Sequence, residues 1–464
     1  MIKNFVELLD CSVENNKDGI MFEYLSEDFK IQKVTFESFY AQVNSIVDFI
    51  KSQNIKNEKI GLCMKNSYQW FAYYYAIVAS GNVAVLVPIE AENEAQERML
   101  NNTQTKYLFK SSDYKYNIES VFDVWFDIPE TQGKIVACEN NIEDLATIVF
   151  TSGTTGNEKA VCLSYKNCLF GANSSMAQQS SGNKKDRRMF VLPFAHIGGV
   201  NILSLLATGI TICILEEPKY FLKSLKIYQP DVVIAVPMYI KLMVKNIIKY
   251  GKEAVVGNNL SAISCSSSIL NQEDAQKILS NGISLIDVYG LSETTGVGTY
   301  KCYIGNTNKT HGGAYDGVCV EIIDGEVVLS GDFVMMGYYN DQNATDEILK
   351  NGKIHTGDVG HWEEDGSLRI IGRKKNLIIL SNGENISPES IENEISKCQI
   401  IKECLVYQKD DKICIDIVLN KESDKEQALT FVEEYNKQIS FNKRILGINF
   451  VNEIKRNSMG KAKR

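Results

Sequence analysis

The sequence predicts an α/β protein: a large N-terminal domain of layered α/β subdomains closed by a β-rich subdomain, then a small α+β C-terminal domain. Three observations carry this prediction. Short β-branched apolar runs alternate with amphipathic stretches as far as residue 370, the pattern of α/β layers with largely parallel sheets. An Asp324-Gly325 pair separates two apolar runs, which is the signal of a β-hairpin. Beyond Gly372 the chain turns Lys-rich and less apolar, marking a separate module.

The elements follow in order. Strands are expected at 147–151, 211–215, 231–236 and 283–288. Residues 237–250 form a helix candidate, with Met238, Ile240, Leu242, Met243, Ile247 and Ile248 at helical spacing. Two uncharged stretches approach the length of a membrane span. The first, 67–89, contains Ser80-Gly81-Asn82 and reads as a buried helix, a turn and a strand over 83–87; the second, 189–215, is broken by Pro193, Gly198-Gly199 and Gly209. Neither is expected to cross a membrane. Residues 318–323 and 326–329 pair across Asp324-Gly325. The C-terminal module should hold a helix over 388–397, strands over 403–408 and 412–419, and a long helix over 422–439. The domain boundaries are placed at 1–372 and 373–464.

The 464 residues are 44% hydrophobic and 23% charged, enough to bury the cores of two or three packed units. A net charge of −9 argues against a general nucleic-acid binder, which needs a basic face to displace counterions. The twelve cysteines form no C-x-x-C pair, and the spacings Cys162–Cys168 and Cys398–Cys404 suit neither a zinc knuckle nor a redox motif. With no signal peptide over residues 1–10, reduced thiols in a cytoplasmic protein are expected. His196, His311, His355 and His361 are the only histidines, too few for a His-rich metal centre.

The strongest local signal runs from Thr147 to Lys159. An apolar strand ending at Thr151 enters the loop Ser152-Gly153-Thr154-Thr155-Gly156-Asn157-Glu158, and Lys159 follows. Glycines let backbone N–H groups face an anion, hydroxyls donate hydrogen bonds, and the lysine adds charge. The spacing is not that of a Walker A loop. Taken alone, the stretch could equally be a Ser/Thr-rich turn.

The segment 151–159 resembles the phosphate-loop signature of the adenylate-forming superfamily, which includes acyl-CoA synthetases, firefly luciferase and nonribosomal adenylation domains. The resemblance continues in order along nearly the whole chain. Leu192-Pro193-Phe194-Ala195-His196 is similar to the family's acyl-pocket motif. Tyr289-Gly290-Leu291-Ser292-Glu293-Thr294 resembles its adenine and magnesium motif, and His355-Thr356-Gly357-Asp358 its ribose motif. Residues 372–376 and 382–388 resemble the hinge and the loop after it. Asn457-Ser458-Met459-Gly460-Lys461 resembles the terminal catalytic-lysine motif.

The resemblance implies ATP, Mg²⁺ and CoA as ligands and a role for each matched residue. Thr151, Ser152, Gly153, Thr154, Thr155, Gly156 and Lys159 would hold phosphates. Ser267, Val288, Tyr289, Gly290, Ser292 and Ile370 would line the nucleotide pocket, with Tyr289 stacking on adenine. Asp358 would accept ribose hydroxyls, and Arg373 would reach ribose or phosphate as a planar donor. Glu293, with Thr151, would hold Mg²⁺, a cation that prefers oxygen ligands. His196 would gate the acyl pocket. Lys461 would stabilise the charge that develops as a carboxylate attacks the α-phosphate. The family's two half-reactions imply a mobile C-terminal domain pivoting at Lys375, with the loop around Gly383 entering to build a thiol channel.

Some residues depart from the pattern. Glu158 and Ala160 stand where relatives usually carry Pro and Gly, and Ser266-Ser267-Ser268-Ile269-Leu270 replaces the common Gly-Gly-Ala-Pro-Leu. By the resemblance, the added hydroxyls should narrow or polarise a wall of the acyl pocket, whereas residues 376–388 most resemble fatty-acid ligases. The expected activity is ATP-dependent formation of an acyl-AMP from a carboxylic acid, then transfer to a thiol, with CoA and a fatty-acid-like acid favoured. A carrier-protein phosphopantetheine as acceptor, o-succinylbenzoate as substrate, and a non-catalytic acyl-binding homologue remain alternatives.

Overall fold

The structure is a computed structural model and describes residues 2–138, 140–151, 158–174, 186–206, 208–266, 270, 272–305, 307, 309–379, 385–410 and 412–455. A large α/β region precedes a small α+β module, as the alternation and the composition change predict. A nine-stranded sheet runs in the order Thr310–Ala314, Gly298–Tyr303, Ser284–Gly290, Ala262–Cys265, Val232–Ala235, Arg187–Phe190, Thr211–Ile214, Ile20–Leu25, Ile31–Thr35. Its six middle strands, from Ser284–Gly290 to Ile20–Leu25, are parallel, and only the flanking strands are antiparallel. Parallel strands are covered on both faces, which is why these runs read as almost continuously apolar.

A seven-stranded sheet lies in the order Gly337–Tyr338, Lys159–Ser164, Leu145–Thr151, Val83–Leu86, Lys59–Cys63, Tyr107–Lys110, Ser120–Asp123. The first membrane-like stretch resolves into the helix Tyr68–Ala79 and the strand Val83–Leu86. Ser67 caps the helix by accepting from the Trp70 N–H at 3.2 Å, and every residue of the helix is buried. A helix apolar all round belongs in the core of a large protein. Gly81, at φ 78°, then turns the chain into the strand. The second stretch splits into Arg187–Phe190, Ile197–Leu206 and Thr211–Ile214. Among the described residues no helix is long and apolar enough to cross a membrane.

The β-rich unit contains Cys319–Ile323, Glu326–Ser330, Lys353–Trp362, Leu349–Lys350 and Leu368–Arg373. Its hairpin turns at Asp324 (φ 50°) and Gly325 (φ 78°), the two positive angles a tight two-residue turn needs. In the C-terminal module the helices Pro388–Ile395 and Lys425–Gln438 pack on the strands Ile401–Lys409 and Lys412–Leu419 around Ile395, Val406, Ile415 and Val432. A third strand, Ile445–Phe450, pairs in parallel with Lys412–Leu419 and was not expected from the sequence. All twelve cysteines are free thiols, as their spacing predicts.

Candidate active site

Ligands of open parallel sheets bind beyond the carboxyl ends of the strands. Two strands of the nine-stranded sheet deliver candidate residues there. Arg187–Phe190 leads into Pro193–His196, and Ser284–Gly290 ends on Tyr289 and Gly290. The Asn66 side chain holds the first segment: its Oδ1 accepts from the Phe194 N–H at 2.8 Å and its Nδ2 donates to the Leu192 carbonyl at 2.9 Å. His196 is half-buried just before the helix Ile197–Leu206. The turn carrying Ser292 and Glu293 packs against that helix through glycine. A Cβ on Gly290 would lie 2.5 Å from the Gly296 carbonyl, and one on Gly296 (φ 70°) would lie 2.3 Å from the Asn201 amide.

Three candidates meet in one cluster. Asp358 and Arg373 face each other across paired strands, and Arg373 Nε reaches Asp358 Oδ1 at 2.8 Å. Arg373 Nη1 also donates to the Thr356 carbonyl at 2.7 Å. Tyr289 donates its hydroxyl to Asp358 Oδ2 at 2.7 Å, so both carboxylate oxygens are engaged. Burial, and then the charge of Asp358, push the Tyr289 phenol well above its ordinary pKa, so it stays a protonated donor. Asp358 is 5% exposed. The adjoining Gly357 N–H donates to Glu326 at 2.9 Å. Burial pushes Glu326 up, but that bond, Lys374 and His355 outweigh it and hold the carboxyl below its ordinary value.

A second cluster joins the phosphate-loop candidate to the metal candidate. Thr151 and Lys159 are paired residues at the mouth of the hairpin formed by Leu145–Thr151 and Lys159–Ser164, so the loop between them connects two antiparallel strands. Beside this hairpin sits the turn Ser292–Thr294. Tyr338, which the sequence reading missed, links the two. Its hydroxyl donates to Glu293 Oε1 at 2.6 Å, and Lys159 Nζ lies 4.8 Å from its ring centroid. Burial and the Glu293 charge raise this phenol far above its ordinary pKa, with the Arg373 charge only partly opposing them. A lone tyrosine after glycine carries no local pattern that separates this role from packing.

The remaining candidates are spread around these clusters. Val288 pairs with Tyr300, and Ile370 pairs with Gly360 in the β-rich unit. Lys375 lies in the short turn Lys374–Asn376 directly after Arg373. Ser266 is described and has a buried hydroxyl with no hydrogen-bond partner among the described residues. Ser152, Gly153, Thr154, Thr155, Gly156, Ser267, Gly383 and Lys461 lie outside the described residues. Among the described residues no group of three His, Cys, Asp or Glu side chains could hold a metal ion. A divalent cation here would therefore depend on Glu293 together with ligand oxygens, which fits Mg²⁺ held through one or two carboxylates plus substrate phosphates.

A family described as AMP-binding enzyme matches residues 10–339, and its C-terminal domain matches residues 375–451. The chain belongs to the AMP-binding enzyme family. It is 29% identical over 438 residues to the 2-succinylbenzoate–CoA ligase of Bacillus cereus (strain AH820), covering 87% of each chain. Among AMP-binding structures it is similar to the o-succinylbenzoate CoA synthetase of Bacillus subtilis in complex with the acyl-adenylate intermediate, with TM-score 0.83, 20% identity and coverage of 98% and 96%. It is also similar to an anthranilate CoA ligase in complex with anthranoyl-AMP, with TM-score 0.85, 17% identity and coverage of 99% and 96%. These likenesses establish the adenylate-forming fold, with its large N-terminal and small C-terminal domains. The expected preference for a fatty-acid-like substrate finds no support in these relatives, whose names point to aryl acids.

Proposed function

We propose that this AMP-binding enzyme is an AMP-forming acid–CoA ligase acting on an aryl carboxylic acid of the 2-succinylbenzoate kind. The observation that carries the reaction is a pair of clusters of matched residues: Tyr289 and Arg373 bound directly to Asp358, and Glu293 and Lys159 each in contact with Tyr338. The names of the relatives, and the buried hydroxyl of Ser266 that has no partner among the described residues, support a substrate with polar groups over a plain aliphatic chain. CoA is the acceptor named in the relatives, and nothing favours a carrier protein.

In this reading the acid's carboxylate attacks the α-phosphorus of ATP and pyrophosphate leaves. A CoA thiolate then attacks the acyl carbon and AMP leaves. Asp358 accepts ribose hydroxyls and is held for that task by Arg373 and Tyr289. Lys159 and the loop before it take phosphate oxygens. Mg²⁺, held by Glu293 and Thr151, would neutralise phosphate charge. Lys461 supplies the cation at the α-phosphate. We place the boundary between the two domains beside Lys375, as the pivot between the half-reactions.

A pyrophosphate-release screen with purified protein, with and without CoA, tests this. The panel should contain 2-succinylbenzoate, anthranilate, benzoate and straight-chain fatty acids. Aryl acids should give the highest rates, with thioester formed only when CoA is present. Faster turnover of fatty acids would overturn the substrate class and leave the reaction standing; no pyrophosphate from any acid would overturn the reaction.

A further inference from the structure

We propose that Tyr338 is a positioning residue that insulates Lys159 from Glu293, keeping the ammonium available to a phosphate and the carboxylate available to a divalent cation. The inference rests on the functional reading above. An ammonium and a carboxylate that touch the same side chain in a half-buried site attract each other and would be mutually neutralised if they met. They do not meet: among the described residues neither Lys159 nor Glu293 forms an ion pair, and each instead contacts Tyr338, the carboxylate at its hydroxyl and the ammonium over its ring face. Its hydroxyl gives Glu293 one directed hydrogen bond at 2.6 Å, while its face holds Lys159 by the ring quadrupole. That hold is weaker than a charge-assisted bond to phosphate, so a phosphate can draw the lysine away.

The ring is placed by the backbone and not by the two charges. Tyr338 pairs with Val161 on the edge of the seven-stranded sheet, and its N–H donates to Thr345 Oγ1 at 2.9 Å. Gly337, at φ 143°, lets Thr345 approach: a Cβ there would lie 2.9 Å from Thr345 Cγ2. Val161 belongs to the same strand that begins at Lys159. One strand pairing therefore sets the position of the Tyr338 ring relative to Lys159.

The test measures ATP binding by calorimetry with neither acid nor CoA present, so no turnover occurs, and with and without Mg²⁺. Tyr338→Phe keeps the ring and loses the hydroxyl. It should bind metal-free ATP within about twofold of the parent but need about tenfold more Mg²⁺ for full affinity. Tyr338→Leu lets Lys159 and Glu293 pair and should weaken metal-free ATP binding about tenfold. Adding Glu293→Gln to Tyr338→Leu should recover that loss, because the lysine then has no carboxylate to meet. A purely structural tyrosine predicts no recovery, and that result, or a parental Mg²⁺ requirement in Tyr338→Phe, overturns the proposal. If melting curves show Tyr338→Leu unfolded, the Tyr338→Phe arm decides alone. A parent protein that binds no ATP would instead overturn the functional reading.

Discussion

The two clusters of the site each combine a tyrosine, a carboxylate and a cation, and wire them differently. In the first, Tyr289 and Arg373 both bind Asp358 directly, and the carboxylate is 5% exposed. In the second, Tyr338 binds Glu293, but the cation, Lys159, rests on the ring and never reaches the carboxylate. A carboxylate with both oxygens engaged and little access is rigid; it suits a ligand that donates hydroxyl protons to whatever lone pairs remain. A carboxylate and an ammonium kept apart suit a ligand that brings its own charges. In the proposed reading these are the ribose and the metal-bound phosphates.

In the proposed reading Lys461 supplies the cation for the chemical step, and removing it should have the largest effect on activity. Lys461→Ala is expected to lower acyl-AMP formation by about 10²–10³-fold, the usual weight of one charge-stabilising group, and to spare thioester formation from supplied acyl-AMP. Both half-reactions are assayed separately. Adenylation within a few-fold of the parent would move the catalytic role away from the tail and toward Lys159. Next in size is Lys375→Pro. Proline fixes φ near −65° and removes a backbone donor, so one domain orientation should be trapped. Acyl-AMP should accumulate while thioester formation falls. Equal loss of both, with the melting curve unchanged, would remove Lys375 as the pivot.

The clusters also differ in what they contribute to stability. Asp358→Ala leaves Arg373 and Tyr289 without their acceptor and should destabilise the fold by about 2 kcal/mol, less than for a fully buried pair because the Arg373 side chain is 42% exposed. ATP affinity should fall about tenfold at the same time. Glu293→Gln should leave the melting temperature almost unchanged and abolish the Mg²⁺ dependence of ATP binding. Melting curves beside calorimetry separate the two. A Glu293→Gln variant destabilised as much as Asp358→Ala would erase the distinction between a built-in acceptor and a pair held open.

Much of the site was legible in the sequence because its signals are local. The hairpin at Asp324-Gly325 follows from the backbone angles that only such residues adopt easily, and the helix Pro237–Tyr250 follows from its spacing and a proline at its start. Asp358, Glu293 and Tyr289 each sit in a short motif. What stayed hidden depends on long-range pairing. Tyr338 reaches Glu293 only because Gly337–Tyr338 joins the sheet as an edge strand, 45 residues from its partner. The strand Ile445–Phe450 is set by parallel pairing with Lys412–Leu419, and Gly447 at its centre breaks the apolar run.

A third carboxylate, Asp287, shows what happens on the same strand as Tyr289 without either arrangement. Its cross-strand partner is Lys301, but that lysine is taken by Glu363 and by Asp365 at 3.2 Å. Burial therefore dominates and pushes the Asp287 carboxyl up to about 6 from 3.8, with Lys301 only partly opposing it. A folded-state value above the unfolded one means the native protein binds this proton more tightly. The associated stability is complete below the unfolded value and is lost as pH rises through about 6. At neutral pH the ionised, desolvated carboxylate then costs on the order of 3 kcal/mol. Asp287→Asn removes the ionisation and should raise the melting temperature by a few degrees at pH 8, with the gain fading to nothing near pH 4. Melting curves of both proteins across that range read the difference directly. An advantage for the amide that is the same at pH 4 and pH 8 would mean that packing, and not the buried charge, separates Asp287 from its better-paired neighbours.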